Sequence, residues 1–362
     1  MVTMRTVFLG VASTFAASGR RDVAYAHLDG LGSLPRILRA VRRDPNTILL
    51  FNSVNALRQS PALWLLVLNA WFYKRKQVVY WHETAWLLRE ACGLEAPSAF
   101  RRGWRKAIFA VFRHLLVNVR TRHLTTAIQN KQLVMFLLGV DPDVIYIAGN
   151  ALEAERYPVR DRRKTTEAIR LCMAGSPCRR KGFDLFLGMA RTFAQWKNRP
   201  VQYTWFGGTP EELAHVRGPA YGAVVDHSGI LLPGHLEDLG AALATQDIFI
   251  QTSRDEPFGL AALEALACDL PVFCFDSTAM AEILDPDFVC TDLNDMIDKI
   301  GVYLDNRERY EPGCFRRIAL GFNKDRFLKA WRAMERDFGF TQGLPEGEKV
   351  RVTGRVEQSK GE

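Results

Sequence analysis

Hydrophobic and polar positions along this chain fall into short apolar runs separated by amphipathic stretches. In the first half, Thr6 to Ala12, Val23 to His27, Thr47 to Phe51 and Gln77 to Trp81 read as strands. Nearly continuous apolar runs of this kind suit a parallel sheet buried on both faces. Leu34 to Arg43 and Leu63 to Trp71 read as the helices between them, and His123 to Ala127 and Asp143 to Ala148 as two more strands around a helix at Lys131 to Leu138. The second half repeats the rhythm. Ile169 to Ala174, Gln202 to Phe206, Ile230 to Leu232, Ile248 to Gln251 and Pro271 to Phe275 read as strands, and Phe327 to Phe338 as a last helix with Trp331 and Met334 inward. A strand-helix-strand rhythm with short polar joints predicts doubly wound α/β architecture, with ligands beyond the carboxyl ends of the strands.

The 362 residues suit two domains. Composition, 48% hydrophobic and 24% charged, is that of a globular chain. The longest apolar run, Pro61 to Tyr73, is too short to span a bilayer and reads as a core helix. No signal peptide heads the sequence, and seven scattered cysteines without a C-x-x-C spacing predict reduced, buried thiols in a cytoplasmic protein. The tail from 341 to 362, polar and rich in Gly and charge, reads as disordered.

The net charge of +8 is uneven: residues 1–150 hold 20 Lys/Arg against 8 Asp/Glu, the remainder 28 against 32. An anionic partner is therefore expected to meet the first half. Its surface is expected at Ser98 to Arg120, where Phe100, Trp104, Ile108, Phe112 and Leu115 recur at helical spacing among Arg101, Arg102, Arg105, Lys106 and Arg113. Such a helix can lie on an acidic membrane face. An ordinary helix, apolar side in the core and basic side in water, fits the same pattern, and both readings stand. Nucleic acid is not expected, since no recognition motif accompanies the charge.

The densest chemistry lies in Asp247 to Asp276, DIFIQTSRDEPFGLAALEALACDLPVFCFD. A strand leads into a polar turn and then a helix expected from Phe258 to Ala267, with Pro257 suited to the first turn. Phe258, Gly259 and Leu260 would then offer free N–H groups to an anion such as phosphate. Glu256 stands just before this helix and Glu264 eight residues on, roughly 12 Å along the axis and about 80° around it, so both are expected to border one groove.

This stretch resembles the donor-site signature of the retaining glycosyltransferases of family 4, S-x-x-E-x-F-G-x-x-x-x-E-A-x-A-x-x-x-P. Ser253, Glu256, Phe258, Gly259, Glu264, Ala265, Ala267 and Pro271 fit it, and Asp269 stands where a Gly is usual. Asp tolerates the left-handed conformation a helix end needs. The resemblance implies the GT-B fold: two Rossmann-like domains facing across a cleft. The divisions expected are an acceptor-side domain over 1–150, completed by a C-terminal helix at 325–340, and a donor domain over 151–324.

Other segments carry the resemblance further. His82, ending the strand in VVYWHET, matches a family His that faces the donor sugar. Asn150 to Tyr157-Pro158 resembles the family's interdomain linker, with Ala151 where a Gly is usual. In GSPCRRKGFDLFL, Lys181 and Gly182 match the phosphate-binding segment; Ser176 stands where Arg is frequent, so Arg179 and Arg180 both remain candidates for the diphosphate. Cations are wanted here because the nucleoside diphosphate gains negative charge as it leaves. Gly207, Gly208, His235 and Leu236, at two strand ends, match positions that flank the nucleotide base. Ser277 to Leu284 resembles the helix after the signature, with Glu282 structural or facing the ligand.

No G-x-x-x-x-G-K-[ST] loop and no G-x-G-x-x-G fingerprint occur. Asp141-Pro142-Asp143 and Asp285-Pro286-Asp287 imitate an Asp-x-Asp metal site but read as Pro turns. Of the family's N-terminal glycine-rich loop, only Gly10 and Ser18-Gly19-Arg20 are candidates. The resemblance implies a metal-independent, retaining glycosyltransferase. It would move a sugar from a nucleoside-diphosphate sugar to a glycan or lipid-linked acceptor in glycoconjugate synthesis, without a cofactor, peripheral on the inner membrane face. A catalytically silent sugar-nucleotide or glycan-binding subunit is the alternative, and an enzyme of phosphorolysis or epimerisation a nearer one.

Overall fold

The computed structural model describes residues 35, 38–39, 42, 48–51, 61–82, 84–85, 88–89, 99–161, 167–209, 211–212 and 230–337. The expected strands at 6–12 and 23–27, the glycine-loop candidates and the tail lie outside the described residues. The chain divides into two compact units, one formed by 1–126, 130–148 and 328–362, the other by 127–129 and 149–327.

In the first unit, β1 (Ile48–Phe51), β2 (Lys76–Trp81), β3 (Thr121–Thr125) and β4 (Ile145–Ile147) form a parallel sheet in that order. Its helices include α1 (Pro61–Phe72), α2 (Ala99–Leu116) and, from residue 130 on, α3 (Ile128–Leu138). Val67, Ala70, Val79, Trp81, Phe112, Leu116, Val134 and Leu138 make the core. Two expectations change here. The α1 segment is not wholly core: Leu65 and Phe72 are 51% and 71% exposed, and Leu68 and Trp71 are also exposed. A helix apolar at every position but Asn69 can still set only one face on a sheet, and Val67 and Ala70 occupy it. In α2 the apolar residues divide, with Phe112 and Leu115 inward but Trp104, Ile108 and Val111 outward. A step of four residues turns a position by about 40°, so the row drifts from solvent to core.

The second unit begins with β5 (Ile169–Ala174), α4 (Phe183–Thr192), β6 (Gln195–Trp196) and β7 (Arg199–Phe206). It continues through β8 (Ile230–Gly234), α5 (Leu239–Leu243), β9 (Ile248–Gln251), α6 (Leu260–Ala267) and β10 (Val272–Phe275). Last come β11 (Val289–Cys290), α7 (Leu293–Asp305), α8 (Cys314–Leu320) and α9 (Lys324–Asp337), whose residues from 328 on cluster with the first unit. The sheet runs β11-β10-β9-β5-β7-β6 with β8 on β7, parallel except for the β6–β7 hairpin. The chain therefore winds outward from β5 through β7 to β8, then returns to β9 and winds the other way. The switch point lies between β5 and β9, where ligands of open α/β sheets collect.

Both Asp-Pro-Asp segments are short 3-10 turns, Pro142–Val144 and Pro286–Phe288. Asp141 and Asp285 accept from the N–H groups of Asp143 and Asp287. Asp269 takes the left-handed conformation at φ 63° after α6. Its carboxylate accepts from the N–H groups of Gly313, Phe315 and Arg316 at 2.8, 3.2 and 3.3 Å, capping α8. In place of the helix expected at Ser277 to Leu284 there is one 3-10 turn, Ala279–Glu282. Glu282 has a structural role: its two oxygens accept from the N–H groups of Ile128 and Gln129 at 2.8 and 2.7 Å, the start of α3.

Candidate donor site

Two chain segments meet at the switch point because the exit of β9 is stitched to the loop before α4. The Thr252 hydroxyl donates to the Gly182 carbonyl at 3.0 Å and the Arg254 N–H to the Arg180 carbonyl at 2.9 Å. The Arg254 guanidinium grips both oxygens of Asp184 at 2.7 and 2.8 Å. Gly182 sits at φ 72°, and a Cβ there would lie 1.8 Å from the Thr252 carbonyl oxygen. Only glycine permits this approach.

That stitching sets Lys181 against Glu256. Their ion pair is largely shielded, with side chains 18% and 9% exposed, and the buried Ser253 hydroxyl lies 3.4 Å from the same Glu256 oxygen. Helix α6 begins at Leu260, two residues later than expected, because Gly259 is held at φ 95° against Gln251. Pro257 is therefore outside the helix, and the free amides at its positive end are those of Leu260, Ala261 and Ala262. The rise-and-bearing geometry expected between Glu256 and Glu264 does not apply, since Glu256 lies in the turn.

A cavity of about 390 Å³ opens beyond the strand ends. Gly175 and Ser176 line it after β5, Gly207 and Gly208 after β7, and His235 and Leu236 after β8; Lys181, Glu256, Leu260 and Glu264 complete the ring. Burial raises the Glu264 carboxyl above the usual carboxylate range, partly offset by a hydrogen bond from the Tyr157 hydroxyl at 3.0 Å. A wider depression of about 520 Å³ beside β7, β8 and α5 includes Arg170 but no carboxylate.

Of the thirteen residues singled out from the sequence, Lys181, Gly207, Gly208, His235, Leu236, Leu260, Glu256 and Glu264 border this cavity. Arg180 does not line it; its guanidinium donates to the Asp255 carbonyl at 3.1 Å and comes within 3.9 Å of Glu256. The Arg179 carbonyl accepts from Arg254, and its side chain is not among the lining groups. Phe258 is buried with its ring on Phe322, so it serves the core. Gly259 shapes the helix start without lining the cavity. His82 belongs to the first unit, half-buried at the carboxyl end of β2 beside the Tyr80 ring. Ser176, Leu239, Ala261 and Tyr157 were not singled out. For Tyr157 the only signal was its place in the linker motif.

The family model described as glycosyl transferases group 1 matches residues 168–306. A GDP-mannose-dependent α-(1-6)-phosphatidylinositol dimannoside mannosyltransferase of Mycobacterium tuberculosis is 30% identical over 109 residues, 29% of this chain and 28% of that protein. The chain thus matches under a third of that curated relative's length. Among solved structures, Anabaena HepE in complex with UDP superposes with a TM-score of 0.63 at 13% identity, over 84% of this chain and 82% of that one. Sucrose-phosphate synthase of Thermosynechococcus elongatus gives 0.61 at 18%, over 88% and 81%. At these identities the structural likeness is one of fold. Over residues 168–306 the chain is similar to the glycosyl transferases group 1 family, and its fold is that of the GT-B glycosyltransferases.

Proposed function

We propose that this protein is a retaining glycosyltransferase that passes a sugar from a nucleoside-diphosphate sugar to an acceptor hydroxyl without a metal ion. The observation that carries the reading is the cavity at the switch point, which joins one cation, two carboxylates and a helix start. Lys181 and the amides at the start of α6 would meet the charge that develops on the departing diphosphate, with Arg180 at the edge of the same group. Glu256 would accept from hydroxyls of the donor sugar and Glu264 from the ribose. The base would lie by Gly207, Gly208, His235 and Leu236. His82 is included on its motif alone. The acceptor hydroxyl attacks the anomeric carbon on the face the diphosphate leaves; a phosphate oxygen takes its proton, so no protein base is required.

The acceptor is read as a glycan or lipid-linked sugar, and the protein as peripheral on an acidic membrane. The mycobacterial relative is named for a phosphatidylinositol-linked acceptor. In the first unit α1 and α2 adjoin, the exposed Trp71 ring lying 6.3 Å from the His114 ring, and α2 carries Arg105, Lys106 and Arg113. Among the described residues no helix is long and apolar enough to cross a membrane.

The purified protein is to be incubated with UDP-, GDP-, ADP- and dTDP-sugars, following release of free sugar. Slow hydrolysis of one donor, lost in Glu256→Ala and Lys181→Ala, is expected. Binding of a nucleotide sugar without hydrolysis or transfer would favour a silent binding subunit instead.

A further inference from the structure

Tyr157 lies behind the wall of the cavity rather than in it, yet it holds one of the two carboxylates that line it. Its hydroxyl donates to Glu264 Oε1 at 3.0 Å, across 107 residues of sequence. The tyrosine is itself fixed. Its carbonyl accepts from Arg316 Nη1 at 2.9 Å, and the same guanidinium donates to the carbonyl of Ala267, which closes α6. Three residues on, the Arg160 N–H donates to the Cys268 carbonyl at 2.9 Å. Segment 157–160 is thus clamped along α6. The phenol ring lies against Gly240, where an added Cβ would come within 3.0 Å of it. A surface-packing tyrosine needs none of this, whereas a carboxylate held to one orientation does.

We propose that Tyr157 is a positioning residue of the donor site, whose hydroxyl sets the Glu264 carboxylate to accept from the ribose diol and so makes the site select ribonucleotides. The proposal rests on reading the cavity as a nucleotide-sugar site. With Oε1 tied to the phenol, the carboxylate has one rotation and presents its remaining lone pairs in one direction. A free carboxylate would have to lose that freedom on binding. Around Glu264 stand Tyr157, Cys268, and, across the cavity, Lys181, Glu256 and His235; Asp238 and Cys268 also face Tyr157. The hydrogen bond favours the ionised carboxylate against the burial that opposes it.

The test is calorimetric titration with UDP, GDP and ADP, and with the 2′-deoxy form of whichever binds best, between pH 5 and 9. It compares wild type, Tyr157→Phe, Glu264→Gln and the double variant; phenylalanine keeps the ring against Gly240. Tyr157→Phe is expected to weaken the ribonucleotide about tenfold, the size of a hydrogen bond to a charged group. It should weaken the deoxy form less, and move the acid limit of binding to higher pH. In the Glu264→Gln background the same substitution should change nothing further. Equal weakening of both sugars with an unmoved acid limit would reduce Tyr157 to a structural residue and overturn the proposal. Wild type binding none of the nucleotides would overturn the donor-site reading itself, and this inference with it.

Discussion

Lys181 and Glu256 are paired with each other across the cavity wall, one from the loop before α4 and one from the turn after β9. In this arrangement the cation that would meet a diphosphate is already neutralised by the carboxylate that would meet the sugar. A diphosphate bound beside Glu256 would rely on Lys181 to offset the repulsion from that carboxylate. The pair also joins the two halves of the sheet's switch point.

Removing Lys181 leaves the shielded Glu256 only the Arg180 guanidinium, at 3.9 Å, as a counter-charge, and removing Glu256 takes away the ion-pair partner of Lys181. Lys181→Ala is expected to cost about 1–3 kcal/mol of stability, less than a fully buried pair because water still reaches the lysine. It should cost more than Lys181→Ala combined with Glu256→Gln, where the orphaned charge is gone. Urea unfolding of the three proteins checks this. A double variant less stable than Lys181→Ala would show the pair adds little.

Gly182→Ala tests how the loop is held. The methyl would meet the Thr252 carbonyl in a backbone conformation with φ 72°, so either β9 or the loop must shift. A loss of about 2–4 kcal/mol is expected, together with loss of nucleotide binding, since Lys181 is the adjacent residue. Unchanged unfolding and binding would mean the loop is free to move away from β9.

How much of this was legible depended on sequence distance. The strands at Ile169–Ala174 and Ile248–Gln251 were readable because burial on both faces leaves short apolar runs, Leu171 to Ala174 and Ile248 to Ile250, broken only by Arg170 and Gln251. The fit of Ser253, Glu256 and Glu264 to one local pattern singled out one wall of the cavity. The start of α6 was not readable: Pro257 suits a first turn, and only the close packing of Gly259 on Gln251 delays the helix. Helices α7 and α8 went unmarked although Asp292 caps α7 through the N–H groups of Asn294 and Asp295. Tyr157 could not be paired with Glu264 at all, because nothing local links a linker tyrosine to a helix 107 residues away. The exposure of α1 was hidden for the opposite reason. With Asn69 its one polar residue, α1 has no polar side to announce which face turns outward.

That exposed face gives the next prediction. Phe72 on α1 and Trp104 on α2 are 71% and 64% exposed, so serine at both should leave the fold intact while removing two large apolar groups. If they enter an acidic membrane, flotation with vesicles containing phosphatidylglycerol should fall about tenfold or more in the double variant, from the transfer free energy of such side chains. Equal recovery of wild type on neutral and acidic vesicles would remove the membrane reading.

Acid should weaken the first unit through His123. The imidazole is buried, and its Nδ1 accepts from the Trp81 indole N–H at 3.0 Å. Burial, with the neighbouring Arg122 charge adding to it, pushes its pKa down from 6.5 to about 3. The folded protein therefore keeps His123 neutral over a range in which the unfolded chain protonates it. Its contribution is fully present above about pH 6.5 and is lost as pH falls toward 3, at up to about 1.4 kcal/mol per pH unit. The His123→Gln variant keeps an acceptor for Trp81 but does not titrate. Urea unfolding followed by tryptophan fluorescence between pH 4 and 8 should show a shallower acid slope in the variant, even if it is less stable at pH 8. Parallel slopes in the two proteins would mean that other groups govern the acid limb.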